Sequence, residues 1–225
     1  MDLAIIVPTR GRPDAARELA QVFADTTTGH SAIVFVVDQT DPKLEEYHEK
    51  VPPFADLIVR DTNGMVPALN TVAGWLADDG GVFAIGFMGD DHRPRTTGWD
   101  EAYLEALREL GTGIVYGNDL FQGANLPTQC AMTSNIIRKL GFMAPPNLQH
   151  LYVDNFWRDL GNECGMLRYL PDVVVEHMHP FAGKAEMDEG YRRVNAPEVN
   201  AKDASAYSEW RDKHFAECVE GVREL

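Results

Sequence analysis

Val82-Phe83-Ala84-Ile85-Gly86-Phe87-Met88-Gly89-Asp90-Asp91-His92-Arg93-Pro94 is an apolar run that breaks off in two acids and a histidine. Gly80-Gly81 precede it and Pro94 closes it. A short, continuous apolar run bounded in this way reads as a strand buried on both faces. Asp90 and Asp91 then stand where that strand leaves its sheet. In open α/β sheets, ligands bind at the carboxyl ends of the strands. Carboxylates placed there are hard oxygen donors, suited to Mg or Mn bridging phosphate oxygens.

Upstream, the same kind of strand recurs. Leu3 to Val7 and Ala32 to Val37 are continuous apolar runs, the second ending in Asp38. Asp56 to Val59 is shorter and leads into Arg60-Asp61-Thr62-Asn63-Gly64, which has turn chemistry. Helical segments lie between. The first follows the loop Pro8-Thr9-Arg10-Gly11-Arg12-Pro13, with Pro13 placed as an N1 proline and an apolar face from Ala15 to Phe23. A short acidic helix is expected over 42–50, and a third helix over 66–76, with Ala, Leu and Trp facing inward. Strand–helix alternation of this sort implies parallel strands joined by right-handed crossovers.

Downstream of Pro94 the rhythm changes. The spacing predicts an amphipathic helix over 99–110, a strand over 113–116 and loop over 118–130. Ser134 is placed to cap a short helix over 135–140. A helix over 153–160 carries Asp154 in its first turn. Two short strands, 167–170 and 173–175, flank Pro171-Asp172, and the second runs into Glu176-His177-Met178-His179-Pro180. Residues 181–203 show few apolar positions and no period, which predicts a mobile flap. A terminal helix over 204–222 would pack through Tyr207, Trp210 and Phe215.

Bulk properties narrow the function. The 225 residues suit one domain with a sizeable core; 44% are hydrophobic and 24% charged, ordinary for a globular protein. The net charge of −15 argues against bulk attraction to nucleic acid or an anionic membrane. A local divalent cation could still invert the sign of one site. The chain opens directly on its first strand, without the basic n-region of a signal peptide, and no apolar run approaches a bilayer span. Cys130, Cys164 and Cys218 are odd in number and widely spaced, which fits reduced thiols in a cytoplasm. There is no G-x-G-x-x-G after the first strand and no G-x-x-x-x-G-K-[ST], which argues against a hydride-transfer dinucleotide fold and a P-loop NTPase.

Ile5-Ile6-Val7-Pro8-Thr9-Arg10, Asp38, Asn63-Gly64 with Asn70, and the strand ending in Asp90-Asp91 together resemble the GT-A glycosyltransferases, most closely the large family 2 group. The Val173–Pro180 segment is similar to the later part of the same fold, including small phage-type and bacterial relatives. The likeness spans roughly residues 2–180. It implies an α/β fold with a mostly parallel central sheet flanked by helices. Residues 1–94 would form the nucleotide-binding half and 95–180 the acceptor and catalytic half. Residues 181–225 would add a flap and a helix packed on the same domain.

The resemblance also implies roles. Pro8, Thr9, Arg10 and Asp38 would hold the base and ribose, with Asp61 or Asn63 closing the other side of the base. Asp90-Asp91 stands at the position of the family's D-x-D motif, although Gly89 occupies the place where a first Asp often stands. Two registers are open: Gly89-Asp90-Asp91, with Asp91 on the metal and Asp90 toward the ribose, or Asp90-Asp91-His92, with His92 as the terminal ligand. The first is preferred. His177 and His179 are two apart on a strand and so share a side; a late histidine, His177 first, would join Mn or Mg. Imidazole suits Mn better than Mg. Asp154 would be the base that deprotonates an acceptor hydroxyl. Lys184, with Arg192 and Arg193, would reach phosphates from the flap.

The function implied is metal-dependent transfer of a sugar from a nucleotide-sugar donor, a UDP-sugar above others, to the hydroxyl of a glycan or protein acceptor with inversion. The setting would be the cytoplasm of a bacterial or phage-infected cell. A sugar nucleotidyltransferase shares the metal logic but usually carries a Gly-rich loop after the first strand, and Pro8–Pro13 has one Gly. A non-catalytic nucleotide- or carbohydrate-binding module on the same fold is the third reading.

Overall fold

A computed structural model describes residues 1–225. In chain order its elements are β1 (Leu3–Thr9), α1 (Pro13–Thr26), β2 (Ser31–Asp38), α2 (Leu44–Lys50), β3 (Asp56–Arg60), α3 (Met65–Asp78), β4 (Ala84–Phe87) and β5 (His92–Pro94). There follow α4 (Trp99–Leu110), β6 (Ile114–Asn118), β7 (Cys130–Thr133), α5 (Ser134–Leu140), α6 (Val153–Glu163), β8 (Leu167–His177), α7 (Glu189–Val194) and α8 (Pro197–Arg223). The strands form one sheet in the order β3-β2-β1-β4-β7-β6-β8-β5.

Strand β1 organises the sheet because both of its faces are apolar. Leu3, Ile5 and Val7 join the core under α1 and α4, with Trp99 and Tyr103. Ala4 and Ile6, on the other face, join the core under α3, α5, α6 and α8. Side chains alternate across a strand, so a run apolar at every position fills two cores and forces helices onto both sides. Strands β2 and β4 pair parallel to β1, and β3 parallel to β2. Gly86 permits the centre to close: a Cβ there would lie 2.4 Å from Ile5 Cδ1 and 2.8 Å from the Cys130 carbonyl oxygen.

The second half of the sheet departs from the expected pattern. Strand β7 runs antiparallel between β4 and β6, a strand that the sequence does not predict between the loop over 118–130 and the helix over 135–140. Four residues are too few to show a period. Ser134 does not cap α5 with its side chain. Its Oγ donates to the Val82 carbonyl and its N–H to the Phe83 carbonyl, pinning the helix to the start of β4. The two expected strands around Pro171-Asp172 are one strand, β8, with an irregularity that moves its pairing from Gly117–Leu170 to Asn118–Val174.

The segment expected to be a flap is partly helical. It holds a 3-10 turn at Pro180–Ala182, then α7, and α8 already begins at Pro197, a proline in the first turn. Buried Asp203 ties α8 down, accepting the N–H groups of Gln149, His150 and Leu151. Tyr207 and Trp210 pack into the core as expected, and Phe215 packs partly buried against it. Trp75, expected inside, is exposed and stacks under Arg60. No helix is long and apolar enough to cross a membrane.

Candidate active site

The carboxyl end of β1 meets the acids after β4. Thr9 Oγ1 donates to Asp90 Oδ2 at 2.6 Å, and Arg12 Nη1 approaches Asp90 Oδ1 at 3.2 Å. Burial and the neighbouring charge of Asp91 push the Asp90 carboxyl up, while Arg12 and Thr9 oppose the shift. Asp90 is therefore an internal strut between the first loop and the rim.

Asp91 faces the other way. His177 Nε2 lies 3.2 Å from its Oδ2 and His92 Nδ1 3.4 Å from its Oδ1. Tyr191 Oη donates to Oδ2 as well. Burial raises the Asp91 carboxyl, but the neighbouring His177 and His92 outweigh it and leave the group well below the usual carboxylate range. Ligand atoms of Asp91, His92 and His177 all lie within 4.8 Å of one another. A carboxylate with imidazoles is a donor set that Mn accepts.

The topology explains the grouping. Strand β5 pairs antiparallel with β8, placing His92 opposite His177, and their rings stack with centroids 4.3 Å apart. His92 Nδ1 accepts the Gly89 N–H at 3.0 Å. Its remaining nitrogen, Nε2, is buried without a partner, as is Nδ1 of His177. Gly89 is required here: a Cβ would sit 2.5 Å from Asp91 Oδ1 and 3.2 Å from His92 Nδ1. A side chain at position 89 would thus displace the Asp91 carboxylate or the His92 ring.

Other expected residues fall into place unevenly. Asp38 Oδ1 accepts the N–H and hydroxyl of Thr40, and Oδ2 accepts the N–H groups of Thr62 and Asn63. These bonds, Thr40's first, hold its carboxyl below the ordinary range and staple the ends of β2 and β3 together. Pro8 ends up within β1, and Arg10 is exposed beside Asp38 and Thr40. Asp61 and Asn63 are exposed, and Asn63 has φ 50°. Asp154, in the first turn of α6, accepts the Asn155 N–H, and burial raises its carboxyl. In the grouping of ligand atoms, His179 is placed apart from His177. It lies outside the ligand group, with its Nδ1 accepting the Phe181 N–H and its ring stacked on Phe121. The strand ends at His177, so period-two geometry no longer governs residue 179.

No protein-family model and no curated protein matches the chain. Solved structures do. S. aureus TarS 1-349 in complex with UDP aligns over 96% of this chain and 72% of its own, at 16% identity and TM-score 0.56. Mannosyltransferase PcManGT from Pyrobaculum calidifontis, in complex with GDP-Man and Mn2+, aligns over 94% and 75%, at 14% identity and TM-score 0.60. Glucosyl-3-phosphoglycerate synthase from Mycobacterium tuberculosis, with Mn2+, UDP and phosphoglyceric acid, aligns over 91% and 78%, at 11% identity and TM-score 0.61. The chain has the GT-A fold.

Within this GT-A fold, the residues that sequence reasoning missed are Arg12 of the first loop and residues of the segment after β8. Arg12 sits in the first loop; it forms a bidentate pair with Asp188, and its guanidinium lies 4.2 Å from the centre of the Tyr191 ring. Tyr191 and Asp188 belong to the segment without a hydrophobic period, so nothing local marked them. Together with Asp90, Asp91, Arg93 and Lys184 they line a cleft of about 660 Å³. Lys184 does reach the rim, but its Nζ is engaged by Glu176 at 2.9 Å and by the Leu120 carbonyl.

Proposed function

We propose that this chain is a metal-dependent glycosyltransferase that moves a sugar from a nucleotide-sugar donor to an acceptor hydroxyl. The reading rests on one observation: Asp91, His92 and His177 converge at the strand-end rim of a GT-A sheet. The donor set fits Mn, and Mg less well, because imidazole prefers the softer ion. Asp91 and His177 would hold it; His92 could add its Nδ1 only by giving up the Gly89 N–H. When bound, the cation supplies Lewis-acid stabilisation to a departing diphosphate.

The chain's own residues divide the remaining work. The end of β1 at Pro8-Thr9, the loop Arg10–Arg12 and the Asp38–Thr62–Asn63 staple would form the rim where a nucleoside lies. UDP is the favoured base-bearing half, since two of the three compared structures carry it. Asp154 takes the proton from the acceptor hydroxyl as that oxygen attacks the anomeric carbon. The C–O bond to the nucleoside diphosphate breaks on the opposite face, which gives inversion. A carboxyl raised by burial suits a base that must accept a proton near neutral pH. Lys184, released from Glu176, would reach the phosphates.

The test is nucleoside diphosphate release from UDP-sugars and GDP-mannose with Mn, for the wild-type chain and for Asp91→Ala and Asp154→Asn. Loss of turnover in both, with folding intact, is expected. Wild-type rates in both variants would end the assignment.

A further inference from the structure

Asp119 stands at the end of β6, 1% exposed, and no sequence motif draws attention to it. Its Oδ1 accepts three N–H groups, from Phe121, Gln122 and Gly123. Its Oδ2 accepts the Thr128 hydroxyl at 2.8 Å, which leaves one lone pair unused. That oxygen lies 3.9 Å from His177 Nδ1. The two residues are also locked through the main chain, since the His177 N–H donates to the Asp119 carbonyl at 3.0 Å. His177 Nδ1 is buried and has no hydrogen-bond partner, while Nε2 points at Asp91. The Phe121 ring lies edge-to-face against the His177 imidazole, with centroids 6.2 Å apart.

We propose that Asp119 is the positioning residue that makes His177 a metal ligand: its fixed carboxylate accepts a hydrogen bond from Nδ1–H and so leaves the Nε2 lone pair free for a cation held jointly with Asp91. This rests on the metal-dependent reading above. A neutral imidazole carries one proton, so the partner of one nitrogen decides what the other can do. Carboxylate–histidine–metal arrangements use this rule, and loss of the outer carboxylate typically costs about 10–100-fold in metal affinity. The four hydrogen bonds on Asp119 also brace the loop, but they account for Oδ1 and for one lone pair of Oδ2. They do not account for the free lone pair beside the unpartnered Nδ1.

The test is calorimetric titration of the metal-free full chain with MnCl2. Asp119→Asn keeps an Oδ1 for the three N–H groups but turns an N–H toward His177, reversing the tautomer. Thr128→Val removes a loop hydrogen bond without touching the His177 contact. Expected is a roughly 10–100-fold weaker Mn Kd in Asp119→Asn, with Thr128→Val close to wild type and both variants folded. Unchanged Mn affinity in Asp119→Asn, or an equal loss in Thr128→Val, overturns the role of Asp119 while leaving the metal site standing. A wild-type chain that binds no Mn overturns the site and this inference together. If Asp119→Asn does not fold, nuclear magnetic resonance of the Cd-loaded wild type decides: a protected Nδ1 proton on His177 is expected, and an Nε2 proton contradicts it.

Discussion

Removing the Tyr191 hydroxyl should tighten metal binding. Tyr191 Oη donates to Asp91 Oδ2, the oxygen that also faces His177. Burial pushes the Tyr191 phenol far above its usual range, so it stays protonated and occupies that oxygen as a donor. A cation binding there must displace it. A hydrogen bond to a charged group is worth about 1.5–3 kcal/mol. Water refills part of the gap in the variant, so the lower figure applies, and about 1.4 kcal/mol corresponds to a tenfold change in Kd. Tyr191→Phe keeps the ring under Arg12 and the Asp188 bond to the Tyr191 N–H, so the segment stays in place. Titration of MnCl2 into the metal-free chain should show a roughly tenfold tighter Kd. Unchanged affinity would mean that the hydroxyl does not compete for Asp91. Weaker affinity would mean that it helps to hold the ion.

Three further outcomes follow from the same geometry. Gly89→Ala would force a methyl within 2.5 Å of Asp91 Oδ1; about 1–3 kcal/mol of destabilisation in urea unfolding is expected, together with weaker Mn binding. Asp154→Asn should lower kcat by about 10²–10⁴-fold. Only ionised Asp154 accepts a proton and burial raises its carboxyl, so activity should fall as pH drops through a value above the ordinary ~3.9. Profiles of kcat/KM against pH check this, and an acid limb at or below the ordinary value would contradict it. Asp203→Ala leaves three part-buried N–H groups without their buried acceptor. It should cost about 3 kcal/mol, read as a lower urea midpoint.

The parallel half of the sheet was legible because β1, β2 and β4 are buried on both faces, and continuous apolar runs say so directly. The elements that escaped were β5 and β7, three and four residues long, each recognised only by the strand it pairs with. Their absence from the reading had a consequence at the site. Without β5 the sequence offers His92 only as one of two open registers and does not set it opposite His177. Asp91 and His177 were legible because acids and histidines at strand ends are conspicuous. Arg12, Tyr191 and Asp188 were not, because each matters through a partner 78 to 176 residues away, and Asp119 was not, because it meets His177 only after the chain has closed on itself. Gly89 was legible as a departure from the D-x-D pattern, but its cause, the space taken by Asp91 and His92, exists only in three dimensions.

The most direct measurement is an anomalous difference map from a crystal of the chain grown with MnCl2 and UDP. A manganese peak at coordination distance from the Asp91 carboxylate and His177 Nε2, bridging to the UDP diphosphate, is the expected result. A peak elsewhere, or bound UDP with no metal between its phosphates and Asp91, would contradict it.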